Sequence, residues 1–98
     1  MKYQDIFGQE LEDLIRVAAV DKSLLHELLS DLLSPTEYQE LAVRWQIVKQ
    51  LEAGIPQREI AKNLKVSVAT VTRGSREMMN KKGGFKILLN KLHKKPSA

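Results

Sequence analysis

The sequence predicts an all-α protein built around a helix-turn-helix. Three observations predict it. Apolar residues recur at three- and four-residue steps through most of the chain, serine, proline and glycine stand where helices should start and stop, and residues 57–76 read as two short helices sharing one small core.

From about residue 3 to 19, Ile6, Phe7, Leu11, Leu14, Ile15 and Ala18 mark one face of a first helix, with Gly8 weakening its early turns. Asp21-Lys22-Ser23 breaks the pattern. A second helix from about residue 23 to 33 carries Leu24, Leu25, Leu28, Leu29, Leu32 and Leu33 in two adjoining stripes, more apolar surface than one neighbour covers, so burial between subunits is expected. Ser34-Pro35-Thr36-Glu37 is a strong helix start: serine as cap, proline at the first helical position, and glutamate three residues after the cap to close the box. This third helix should run to about residue 53, where Gly54 can end it. Tyr38, Leu41, Ala42, Val43, Trp45, Ile47, Val48 and Leu51 cover most of its circumference, which places it in the middle of the core. Arg44 interrupts that surface and needs either a partner or a route to solvent.

Pro56 can open the next helix, but Ile55 before it offers no side-chain cap, at a cost of about 1 kcal/mol. In residues 57–76, QREIAKNLKVSVATVTRGSR, the positions Ile60, Ala61 and Leu64 share a face, Val66 sits in the turn, and Val68 with Val71 faces back from the second helix. Ser67 has the chemistry of an N-cap. Lys65 stands where such turns commonly use glycine for its positive φ, which costs on the order of 1 kcal/mol unless Asn63 or Lys65 relaxes the turn. The missing cap and Lys65 together predict a loosely held pair. Thr70, Thr72, Arg73 and Arg76 are left for the outside, where hydroxyls and guanidinium forks suit base edges and phosphates and small apolar side chains touch only thymine methyl groups. The second helix is expected to continue through Met78 and Met79 to a flexible break at Lys81-Lys82-Gly83-Gly84. Phe85, Ile87, Leu88, Leu89 and Leu92 then form a last amphipathic helix before the polar end.

At 98 residues the chain is expected to be a single domain, residues 1–98, of a size that buries little surface alone and would gain from dimerisation. There are no cysteines, hence no disulfide and no thiolate metal site. No apolar run approaches a membrane span and the N-terminus lacks a signal-peptide pattern, so a soluble, cytoplasmic protein with no membrane partner is expected. The net charge of +4 is divided unevenly: residues 1–49 carry five Lys/Arg against nine Asp/Glu, and residues 50–98 carry eleven against three. The basic half holds the helix-turn-helix, and such a field attracts a polyanion. For Lys91, Lys94 and Lys95 a solubilising tail is the simpler reading. His26 and His93 have no matching ligands, and there is no Gly-rich phosphate loop, cysteine nucleophile or grouped His and carboxylates, so neither an enzyme nor a metal site is expected.

LLSPTE at 32–37, Arg44 followed by Ile47-Val48, QRE at 57–59 and TVTRGS at 70–75 together resemble the tryptophan operon repressor family over about residues 24–92. The resemblance implies about six helices per chain, an interwoven homodimer, and repression of transcription when L-tryptophan, a corepressor and not a cofactor, sets the spacing of two reading heads. Arg44 and Arg73 match the arginines that hold the indole ring, with a cation over each π face. Arg73 and Ser34 match the groups that receive the carboxylate, Ser34 replacing the more familiar threonine. Gly74 matches the glycine that leaves room for the indole. Asp31 and Leu33 match positions whose backbone carbonyls, from the other subunit, accept from the ammonium.

Two positions depart from the pattern. Glu77 stands where the family commonly has a serine near the ammonium; it either pairs with that group, repels the carboxylate, or is a solvated helix residue beside a lysine. The turn before Pro56 is one residue shorter, and Pro56 stands where a Ser or Thr cap is usual. The expectation is a DNA-binding repressor of tryptophan-related genes, with Arg58, Lys62, Lys65, Ser67, Ala69, Thr70, Thr72 and Arg76 against a double-stranded operator. Two alternatives stay open: a related DNA binder that is ligand-independent or senses another effector, and a helical interaction module without specific DNA binding.

Overall fold

The structure is a computed structural model that describes residues 3–80 and 82–94. Lys81, Lys95 and the last three residues, read above as part of a flexible break and a polar end, lie outside the described residues. Six α-helices and no strands make up the described chain: α1 Tyr3–Ala18, α2 Lys22–Leu32, α3 Pro35–Glu52, α4 Gln57–Leu64, α5 Val68–Met78 and α6 Gly84–Lys94. The chain divides into two compact units, Met1–Glu40 and Leu41–Ala98.

In the first unit α1 and α2 form a helical hairpin. The break expected at residues 21–23 proves to be a cap: Asp21 is extended, and its carboxylate accepts from the backbone N–H groups of Ser23 at 2.9 Å and Leu24 at 3.3 Å. The second helix therefore begins one residue earlier than its apolar pattern does. The capping box at α3 forms as read, with the Ser34 N–H donating to Glu37 Oε1 at 2.8 Å and the Glu37 N–H to Ser34 Oγ at 3.1 Å. The Ser34 backbone N–H foremost, and the Ser34 hydroxyl after it, hold the Glu37 carboxyl below its ordinary value of 4.5. Among the described residues of this unit only Ala18 is buried, while Leu11, Leu14, Val17, Val20, Leu24 and Leu32 are exposed.

The second unit closes two clusters. Ile47 of α3 packs with Ile60 and Ala61 of α4 and Val71 of α5, flanked by Val43, Leu51, Ile55, Leu64 and Val66. Val48, Met78 and Leu89 form the other, joined by Trp45, Leu51 and Phe85, with the Trp45 and Phe85 rings stacked at 6.4 Å. Glu52 adds a contact between α3 and α6, its carboxylate 3.6 Å from Lys86 Nζ and 3.9 Å from His93 Nε2.

Three expectations are corrected here. The third helix is not enclosed on all sides: Ile47 and Val48 are buried and Val43, Trp45 and Leu51 half-buried against the two clusters, whereas Tyr38, Leu41 and Ala42 are exposed. Val68, the first residue of α5, is 46% exposed at the helix end, and Val71 one turn further on is buried in the core. Pro56 is the cap residue itself rather than the first helical one; with φ −59° and ψ 145° it supplies no side-chain bond, though its carbonyl accepts from Ile60 N–H at 3.0 Å.

Helices α3 and α4 end in the same motif with different residues. After α3, Gly54 at φ 80° donates to Leu51 O and Ile55 donates to Gln50 O; after α4, Lys65 at φ 56° and ψ 45° donates to Lys62 O and Val66 donates to Ala61 O. Lysine thus occupies the left-handed position the sequence marked as strained. The uncapped start of α4 is present; Ile60 of α4 and Val71 of α5 are at 0% exposure, and Asn63 Nδ2 ties α4 to α3 by donating to Gln50 Oε1 at 3.1 Å.

Candidate ligand pocket and nucleic-acid interface

Helix α5 organises both candidate surfaces. It starts because Ser67 is extended and its hydroxyl accepts the Thr70 N–H at 3.1 Å, satisfying one of the donors a helix start leaves free. The Ser67 and Thr70 hydroxyls also lie 2.8 Å apart in a second bond. Helical spacing then puts Thr70, Arg73, Gly74 and Glu77 on one face.

That face walls a cavity of about 250 Å³ together with Arg44, Ile47 and Val48 of α3 and Phe85 of α6. Ile47 and Val48 give it an apolar floor. Arg44, Arg73 and Glu77 are exposed at its edge, and among the described residues none of the three forms an ion pair. Arg44 therefore takes the solvent route its place in an apolar helix required. Four of the residues singled out for a ligand, Arg44, Arg73, Gly74 and Glu77, share this cavity. Asp31, Leu33 and Ser34 lie in the first unit, at the junction of α2 and α3, and are not part of its lining.

Gly74 has a use beyond space for a ligand. A Cβ built on it would lie 2.8 Å from Ile47 Cγ2, too close for a real contact, so the missing side chain lets α5 lie against the buried Ile47 of α3. Thr70, read only as a DNA contact, also lines the cavity, and its spacing from Arg73, Gly74 and Glu77 could have said so. Ile47, Val48 and Phe85 were absent from the sequence reading of the site; Phe85 belongs to a different helix and leaves no local signal.

Of the residues read as DNA contacts, Arg58, Lys62, Lys65, Ser67, Ala69, Thr70 and Arg76 are exposed. Thr72 is half-buried, and its hydroxyl bonds Gln57 Oε1 at 2.8 Å and the Val68 carbonyl at 3.0 Å. It fastens the two helices of the reading pair to each other. Five lysines and arginines lie within residues 57–76, and only Glu59 opposes them there.

Two short helices joined by a left-handed turn, the second capped and exposed with basic and hydroxyl side chains, define a helix-turn-helix DNA-binding protein. The family model described as Trp repressor protein matches residues 9–93. A Trp operon repressor homolog of Vibrio parahaemolyticus is 37% identical over 96 residues, covering 93% of this chain and 90% of the relative. One from Vibrio campbellii is 38% identical over 82% of this chain and 78% of its own length. One from Pasteurella multocida is 52% identical over 50 residues, 50% of this chain and 49% of the relative. No solved structure gives a significant match. The chain belongs to the Trp repressor family and is a DNA-binding transcriptional repressor; members of that family are regulators, not enzymes. No described helix is long and apolar enough to cross a membrane, and no group of described His, Asp and Glu residues is arranged to hold a metal ion.

Proposed function

We propose that this repressor acts as a cytoplasmic homodimer on the operators of tryptophan-related genes, with L-tryptophan as its corepressor. The observation that carries the reading is that one helix serves both surfaces: α5 with its cap presents Ser67, Ala69 and Arg76 outward and walls the cavity with Thr70, Arg73, Gly74 and Glu77. A ligand seated there would lean on the element that reads DNA.

The indole would lie between the Arg44 and Arg73 guanidiniums, where a cation over a π face is attractive. Arg73 and Ser34 would receive the carboxylate. Ser34 would do this while also capping α3, its oxygen accepting from the Glu37 N–H at 3.1 Å. The carbonyls of Asp31 and Leu33 from a second copy would accept from the ammonium. Helix-turn-helix dimers, the Trp repressor among them, read half-sites about 34 Å apart, so a ligand that favours one disposition of the two heads selects the DNA-binding state.

Titration calorimetry with L-tryptophan tests this reading. Saturable binding at one site per chain, lost in Arg73→Ala, is the expected result, whereas absence of heat at two temperatures would remove tryptophan from the account. One observation favours the second reading, a regulator that is ligand-independent or answers to another effector: Glu77 puts a negative charge on the wall of the cavity that should take a carboxylate.

A further inference from the structure

We infer that Glu77 makes this cavity selective for zwitterions, so that an α-amino acid is held and its desamino or decarboxylated counterpart is refused. The inference rests on the reading of the cavity as an amino-acid site and specifies which charges its ligand must carry. Two guanidiniums and one carboxylate surround a space of about 250 Å³ with an apolar floor, and among the described residues they make no ion pair. Opposite charges that leave one another unpaired at an open cavity are available to a ligand.

Three simple ligand classes meet this set differently. A carboxylate without an amine gains from Arg44 and Arg73 but brings a second negative charge toward Glu77. An amine without a carboxylate gains from Glu77 and is repelled by both arginines. An α-amino acid offers one anion and one cation on adjacent atoms, so both signs of wall charge are complemented and neither repels it unopposed. Ile47, Val48 and Phe85 supply the apolar surface on which its side chain rests, and selectivity arises from penalising the wrong ligands as much as from holding the right one.

The full chain would be titrated calorimetrically with L-tryptophan, indole-3-propionate and tryptamine, then again as Glu77→Gln and Glu77→Ser. Unfolding followed by circular dichroism establishes that each variant is folded. The unaltered chain should bind L-tryptophan at least about tenfold more tightly than indole-3-propionate, the size of one charge-assisted hydrogen bond. Either variant should bring the two within about threefold, while tryptamine stays weak throughout. Equal affinity of the unaltered chain for L-tryptophan and indole-3-propionate, or an unchanged ratio in both variants, overturns the inference and leaves the amino-acid site standing. No binding of any of the three overturns both.

Discussion

The units Met1–Glu40 and Leu41–Ala98 carry apolar residues at the same helical spacing and treat them differently. The second encloses Ile47, Val48, Ile60, Val71 and Leu89 in two clusters built by four helices. The first buries Ala18 and leaves a row from Leu11 to Leu32 in contact with solvent. A helix hairpin has only one internal face, so the leucines of its other faces can be covered only from outside. The helix-turn-helix and the cavity thus stand on a closed core, whereas α1 and α2 form an open apolar surface, and exposed apolar patches of that kind mark interaction sites. That difference supports the proposed dimer without borrowing it from relatives.

The comparison makes its largest prediction at fully buried positions. Ile60→Ala should destabilise the protein by about 2–5 kcal/mol, because Ile60 is entirely enclosed. Leu14→Ala, at a position 47% exposed, should cost under about 1 kcal/mol in the separated chain and more where a second copy covers it. Chemical denaturation at two protein concentrations separates the two responses: the Ile60 cost should hardly change between them, and the Leu14 cost should grow with concentration. A Leu14 cost equal to that of Ile60 in the most dilute sample would erase the contrast.

A smaller effect is expected within the second unit, where Gly54 and Lys65 close two helices by the same bonds. Lys65→Gly should stabilise by roughly 1 kcal/mol, as the left-handed backbone no longer carries a Cβ. A fall in melting temperature would mean that the lysine side chain contributes something its geometry does not reveal.

The smallest effect belongs to the capping box. Glu37 has its pKa lowered in the folded chain, so its contribution is fully present above the ordinary value of 4.5 and is lost as pH falls through the depressed one. Glu37→Gln should therefore lower thermal stability slightly near neutrality and leave it nearly unaltered in strong acid. An equal loss at every pH would show that the charge plays no part.

Much of this arrangement was legible in the residues. Ser34-Pro35-Thr36-Glu37, Ser67, Gly54 and Lys65 announced helix ends through their own backbone chemistry, and each forms as read. Four of the seven residues assigned to a ligand meet in one cavity for the same reason, since Arg73, Gly74 and Glu77 are neighbours on one helix and Arg44 breaks an apolar one. What could not be read depends on partners distant in sequence. Periodicity marks the apolar face of α3 but not what covers it, so its enclosure was overestimated. Nothing near Phe85 says that it reaches the cavity wall. The contact between Gly74 and Ile47 joins residues of two helices, and no local pattern encodes it.

Sedimentation equilibrium of the full chain from nanomolar to high micromolar concentration tests most directly whether α1 and α2 are completed by a second copy. The expected mass is twice the chain's 11.1 kDa, with thermal stability rising with concentration, as for an obligate homodimer. A species of 11.1 kDa at every concentration, as helical and as stable when dilute as when concentrated, would contradict it.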